Sequence, residues 1–240
     1  MVGPLQTAIY VQYAVFYRTL RTTDVLTELA KFDATNLDEL RDLLKKRGLL
    51  TLATKKADIA FNGSPNSLVL DQVAARQKAR QEAQDLDVKS LTYDVDYKAH
   101  MKTMRDASEK SAELMADIHF GKANEIELSL SNTTSKQGQF DRVYRTTDPQ
   151  TGDVTWHVVE CKGGAAELGS RQGHQQCTKP YIESIINNLR DSKKLTNEQL
   201  IDLEALQNAF DTNKVKSYRL KQPFNDDGTL GNTEIAEFNL

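Results

Sequence analysis

The order of helical and extended segments predicts an α/β fold, with a helical N-terminal region over residues 1–100 and an α/β sandwich over residues 101–240. Three observations carry that expectation. Apolar residues recur at helical spacing through much of the first hundred positions. Two strand-like runs, residues 139–145 and 155–162, flank a segment with turn composition. Beyond residue 100, helical and extended segments alternate, as they do where helices cover a sheet.

Taken in order, Leu5, Ala8, Ile9, Phe16 and Leu20 form a helical stripe. Asn36 and Glu39 fit a capping box, Leu37, Leu40, Leu43 and Leu44 form the apolar face behind it, and Gly48 suits the position just past the helix end. Asn62-Gly63-Ser64-Pro65-Asn66 breaks the chain, and the polar helix over residues 67–88 reads as a connector. A helix over 103–119 turns Met104, Ala107, Ser111, Met115 and Ile118 toward a core. Residues 125–131 are the first strand, followed by the two strands named above. Thr178 then caps a helix with Pro180 in its first turn and Ile182, Ile185, Ile186 and Leu189 facing inward. A capping box of Thr196 and Gln199 opens another, with Leu200, Leu203, Leu206 and Phe210 as its stripe. Residues 215–220 supply a closing strand.

The hairpin carries the chemistry. Asp148-Pro149-Gln150-Thr151-Gly152-Asp153 is a turn by composition. If Asp148 pairs with Asp153, the centre falls between Gln150 and Thr151, and Asp141 stands directly opposite Glu160. Opposed residues in such a pair have Cβ atoms about 4.5–5.5 Å apart, close enough for two carboxylates to share one cation. Strand alternation puts Glu160 and Lys162 on the side of Asp141 and turns Cys161 away. The triplet ends an apolar strand after Val158 and Val159, and Gly163-Gly164 allow another backbone to approach closely. Two acids and a lysine on one face suggest metal-assisted hydrolysis. The bland counterpart is a solvated ion pair of little energetic worth.

Composition bounds the reading. With 240 residues, 39% hydrophobic and 27% charged, the chain can bury a core as an ordinary soluble globular protein. Two cysteines, Cys161 and Cys177, give no disulfide framework and fit a reducing compartment, so the expected location is cytoplasmic. Residues 1–21 lack a basic n-region, Gln6 and Gln12 interrupt their apolar run, and nothing approaches a transmembrane span. The formal net charge of -3 counts against a nonspecific DNA binder, although a local basic patch matters more than the sum.

Phe140-Asp141-x-x-Tyr144 followed by Val158-Val159-Glu160-Cys161-Lys162-Gly163-Gly164 resembles the PD-(D/E)XK nuclease superfamily, the restriction-endonuclease-like fold. It looks most like the nuclease domains that end bacterial polymorphic toxins and secreted effectors, which have a comparable Lys-Gly-Gly exit and then a Gln-rich stretch, here Leu168 to Gln176. The resemblance covers about residues 105–190, and Phe140 stands where the superfamily's nominal Pro would be. It implies an αβββαβ core and a Mg²⁺-dependent endonuclease acting on DNA, with Mn²⁺ as a substitute. Asp141 and Glu160 would hold the metal, with the Cys161 carbonyl as a further ligand and a helix acid, Glu113 or behind it Glu109, as another. Lys162 would orient the attacking water, and Gln172 and Gln176 would help hold the water or the backbone, though Gly173 between them interrupts a helix. A toxin of this kind implies a cognate immunity protein and delivery to a target-cell cytoplasm without a cleaved signal peptide.

Residues 36–61 are similar to the SAP motif, a short DNA-binding helix-turn-helix, departing from it at Ala53-Thr54. That resemblance implies phosphate contacts from Lys45, Lys46 and Arg47 at one helix end and Lys55 and Lys56 at the next helix start, with Arg171 a further basic candidate. Lys and Arg in a last helical turn are also ordinary capping chemistry. A cysteine hydrolase fails on distance, because His157 and Cys161 lie about 13 Å apart on a straight strand at roughly 3.3 Å per residue. Cys161, His174 and Cys177 lack zinc-finger spacing. Four readings stay open: a DNA nuclease, an RNA-directed nuclease, an inactive nucleic-acid-binding module on the same fold, and a helical interaction protein with a surface Glu-x-Lys pair.

Overall fold

The computed structural model describes residues 42, 45, 46, 48, 50–121, 125–126, 130–131, 138–192 and 194–240. Its elements are β1 (Lys55–Ile59), α1 (Ser67–Gln84), α2 (Tyr93–Phe120), β2 (Glu125–Ile126), β3 (Arg142–Thr147), β4 (Val154–Gly163), β5 (Ser170–Arg171), β6 (His174–Gln175), α3 (Lys179–Asp191), α4 (Asn197–Asp211), β7 (Val215–Gln222) and β8 (Glu234–Phe238). The protein is mixed α/β. Six strands form one sheet in the order β1-β8-β7-β4-β3-β2, and β5-β6 form a separate two-stranded ribbon. Within the main sheet β4 and β7 run parallel and the other neighbours antiparallel.

Side-chain alternation along the central strands builds two cores. Val143, Trp156, Val158 and Val215 face α3 and α4, where they meet Ile182, Ile185, Ile186, Leu203, Leu206 and Phe210. Tyr144, Val159, Cys161, Tyr218 and Leu220 face α1 and α2, against Val69, Ala112, Met115 and Ala116. Burying each such aliphatic side chain contributes roughly 1.5–3 kcal/mol. Both strand faces are covered at the centre, and β4 is accordingly buried at Trp156 and from Val158 through Cys161.

Several expectations need correction. Residues 67–84 are no connector: α1, N-capped by the Asn66 side chain on the Val69 N–H, buries Val69, Val73 and Ala79 against the rest of the fold. Helix α2 begins at Tyr93, ten residues earlier than expected, because its first turns leave Val95 and Tyr97 exposed and carry no buried core stripe. A boundary at residue 100 would therefore fall inside α2, and β1, from before it, belongs to the same sheet as the rest. Lys55–Ile59 is a strand and not the second helix of a SAP-like unit, since it pairs antiparallel with β8 at the far end of the sequence. Thr178 precedes α3, yet its hydroxyl donates to the Gln175 carbonyl at 2.6 Å and does not cap the helix. Leu200 is 39% exposed, so the buried stripe of α4 starts at Leu203. Of the expected first strand, Glu125–Ile126 pairs with β3, and Ser131 bridges Phe140. The capping box of Thr196 and Gln199 forms as expected. The stripe from Leu5 to Leu20, the Asn36–Glu39 box, Leu37, Leu40, Leu43, Leu44 and Arg47 lie outside the described residues.

Candidate active site

The turn fixes the register. Asp148 donates its N–H to the Asp153 carbonyl at 2.8 Å, and its carboxylate accepts from Gln150 and Thr151. Gly152, at φ +72°, supplies the left-handed residue that the reversal requires. From there β3 and β4 pair Thr147 with Val154 through to Arg142 with Val159. One step further, Asp141 meets Glu160, the juxtaposition expected from the turn composition.

At that point the ladder ends and side chains take over. The Asp141 carboxylate accepts the Cys161 N–H at 2.9 Å, and Lys162 Nζ lies 3.9 Å from the same oxygen. Lys162 Nζ also lies 3.4 Å from Glu160 Oε2, so one ammonium faces both acids. The Glu160 side chain is only 3% exposed, against 17% for Asp141 and 13% for Lys162. Burial first, and Asp141 second, push the Glu160 carboxyl up to about 8. Burial lowers the Lys162 pKa, but Glu160 and Asp141 outweigh it and hold the ammonium charged. Cys161 turns to the opposite face and packs among Ala112, Met115 and Tyr218, where burial pushes its thiol well above the ordinary range.

The segment after β4 completes this face. Gln172 (φ +52°) and Gly173 (φ +83°) form the two-residue turn between β5 and β6, the positive-φ pair that tight hairpins favour. Gln172 is therefore the exposed tip of a ribbon and not a helix residue beside Gln176. Gln176 enters the site alone. Its amide donates to Glu160 Oε2 at 2.6 Å and to the Tyr181 hydroxyl at 3.3 Å, while its carbonyl accepts the Gly169 N–H at 2.6 Å. Arg171 is spent on structure, donating to Asn188 at 3.3 Å.

Helix α2 supplies two acids to different places. A Cβ on Gly163 would lie 2.1 Å from the Ser108 carbonyl oxygen and 2.7 Å from the Glu109 nitrogen, so only glycine lets α2 cross the end of β4. This crossing brings Glu109 beside the site: burial, then Asp141, raise its carboxyl pKa, while Lys162 lowers it. Glu113 is engaged elsewhere. Its carboxylate binds Arg142 Nη2 at 2.8 Å and Lys110 Nζ at 2.9 Å beneath the opposite face of the sheet. Of the two helix acids, Glu109 and not Glu113 stands by Asp141.

Arg142 escaped the sequence reading. Its Nη1 donates to the Asp141 backbone carbonyl at 2.8 Å and its Nε to Asp117 at 3.0 Å, and Tyr144 donates to the same Asp117 oxygen at 2.7 Å. Arg142 thus braces the backbone of Asp141 from behind. Strand alternation alone places it under α2, a signal present in the sequence.

Among the described basic residues of the N-terminal segment, none belongs to a helix pair of the SAP kind. Lys45 and Lys46 are exposed and helical, Lys55 pairs with Asp58 and Lys56 pairs with Glu237 on β8. Leu50 to Ala53 does dock beside the β5–β6 ribbon, through Thr51 to Gly173 and Gln175 and through the Ala53 N–H to the Gln175 side chain.

The donor set suits a hard cation. Mg²⁺ takes oxygen ligands, keeps several waters and is commonly held by one or two carboxylates, which Asp141 and Glu160 supply. Two acids against one lysine leave negative charge for such an ion to neutralise once Glu160 is ionised. Among the described residues, no group of three or more His, Cys, Asp or Glu side chains is placed to hold a metal, and no helix is long and apolar enough to cross a membrane. No family model, curated protein or solved structure matched the chain.

Proposed function

We propose that this protein is a Mg²⁺-dependent nuclease of the restriction-endonuclease-like class that hydrolyses phosphodiester bonds in DNA. The observation that carries the reading is the convergence of Asp141, Glu160 and Lys162 at the end of β4, with Lys162 Nζ 3.4 and 3.9 Å from the two acids. Further support comes from the order α2, β2, β3, β4, α3 and β7, which follows αβββαβ once the β5–β6 ribbon before α3 and α4 before the last strand are taken as insertions. In this reading Asp141 and Glu160 hold the ion, with Glu109 as the adjoining helix acid and the Cys161 carbonyl within the same turn of chain.

A bound Mg²⁺ would polarise a phosphoryl oxygen and lower the pKa of a coordinated water. The chain's own groups do the rest. Lys162 stays charged and offers its ammonium to negative charge that develops on the phosphate. Gln176 fixes the Glu160 carboxylate through a 2.6 Å hydrogen bond, and the Cys161 N–H fixes that of Asp141. Arg142 holds the backbone that carries Asp141. An antibacterial effector role, with a cognate immunity protein, is part of the same proposal and rests on the family resemblance.

The test is incubation of purified protein with supercoiled plasmid in Mg²⁺ and in EDTA, beside Glu160→Ala and Lys162→Ala. Metal-dependent nicking should fall by at least about a hundredfold in both variants. Intact plasmid with cleaved RNA would move the substrate to RNA. Neither substrate cleaved would favour the inactive binding module.

A further inference from the structure

Strand β7 runs parallel to β4, with Arg219 opposite Glu160 and Lys221 opposite Lys162. Parallel neighbours lie about 4.8 Å apart and share the facing of their side chains, so both cations stand on the face that carries the candidate active site. They are held firmly. Their side chains are 20% and 17% exposed, and each grows from a central strand of the sheet. Arg219 Nε is buried without a hydrogen-bond partner, so the guanidinium is not fully used by the protein around it.

A single carboxylate lies across the pair. Glu167 Oε2 is 3.2 Å from Arg219 Nη1, and Glu167 Oε1 accepts a hydrogen bond from Lys221 Nζ. Two oxygens of one anionic group thus span two fixed cations, the geometry in which a phosphate is commonly held. Glu234 on β8 touches Arg219 Nη2 at 3.5 Å and is a weaker competitor. Glu167 itself is 63% exposed, in a loop that leaves β4 through Gly164 at φ +63° and reaches Gly169 five residues later. An exposed pair of this kind is worth little in water. A polyanion with many charges can displace it.

We propose that Arg219 and Lys221 form a phosphate-binding ledge beside the candidate active site, and that Glu167 occupies it as a phosphate surrogate which a nucleic-acid strand displaces on binding. The ledge rests on the nuclease reading for its ligand. It assigns to β7 the grip on the backbone next to the bond being cut, and to the loop after Gly163-Gly164 a self-competing anion that weakens binding until a strand arrives.

Binding is measured on the full chain in EDTA, by fluorescence anisotropy with a labelled 20-base-pair DNA duplex and its RNA counterpart over a salt series, alongside wild-type nicking of plasmid in Mg²⁺. Glu167→Gln should tighten binding by about two- to fivefold. Lys221→Gln should weaken it and flatten the slope of log K against log salt by about 0.9, the value for one lost phosphate contact on duplex DNA. Arg219→Lys, which keeps the charge and tolerates packing, should retain the salt slope. Glu167→Gln added to Lys221→Gln should recover less than Glu167→Gln gains alone. If wild type binds or cuts nucleic acid but Glu167→Gln and Lys221→Gln bind with unchanged affinity and slope, the ledge is wrong and the nuclease reading survives. If neither wild type nor Glu167→Gln binds DNA or RNA and no plasmid is nicked, both fall together.

Discussion

The two faces of the sheet at the end of β3 and β4 each bury acids, and they treat them differently. Beneath α2, Glu113 and Asp117 face Arg142 and Lys110, two acids against two bases, with contacts of 2.8 to 3.0 Å. On the opposite face Asp141 and Glu160, with Glu109 adjoining, meet Lys162 at 3.4 and 3.9 Å. The rear cluster is electrically closed, and it raises the Arg142 pKa even against burial. The front cluster is not closed, and burial first, with Asp141 second, pushes the Glu160 carboxyl up to about 8. A protein stabilises itself with the first arrangement. The second leaves two acids facing one base, the feature on which the proposed cation site rests.

Breaking the rear cluster should cost the most. Arg142→Met leaves Glu113 and Asp117 buried with one base fewer, and the unfolding free energy from denaturant titration should fall by about 3–5 kcal/mol. If instead Arg142→Met is neutral, the rear cluster is not the brace that its distances suggest. Next comes the joint between the faces. Gly163→Ala drives a Cβ into the backbone of Ser108 and Glu109, so α2 must shift; a loss of about 1–3 kcal/mol is expected, with plasmid nicking reduced as Glu109 moves from the site.

Titration separates the faces more gently. Glu160 binds its proton more tightly when folded than when unfolded, since its pKa is raised to about 8 from an ordinary value of 4.5. Its contribution to stability is therefore present below about 4.5 and lost as pH rises through about 8. Melting temperature of the metal-free protein should fall across that window relative to Glu160→Gln, and Mg²⁺ should remove the difference. Equal pH dependence in the two proteins would mean that the Glu160 carboxyl is not destabilised in the fold. Glu113→Gln, on the closed face, should not alter the response to Mg²⁺.

How much of this the sequence revealed follows from how local each feature is. The Asp141–Glu160 register was legible because Asp148, Gly152 and Asp153 set the turn within six residues, and strand alternation propagates it. The Gly163 approach was legible for the same reason. Gln172 misled, since two neighbouring positive-φ residues make a ribbon where a Gln-rich run suggests one unit. Strand β1 was hidden: Lys55–Ile59 pairs with β8 nearly 180 residues away, and nothing within five residues encodes that partner. Strand β8 went unseen too, because Glu234 and Glu237 interrupt its short apolar run. For Arg142 the facing was readable, while the choice of Glu113 and Asp117 as partners depended on where α2 crosses.

We propose that the open face is a cation site and the closed face is not. Isothermal titration of the metal-free protein with Mg²⁺ and Mn²⁺ near pH 8 tests it directly, in wild type, Glu160→Gln and Glu113→Gln. One saturable site with proton release in wild type and Glu113→Gln, absent in Glu160→Gln, is the result expected. No uptake in wild type, or uptake unchanged in Glu160→Gln, would contradict it.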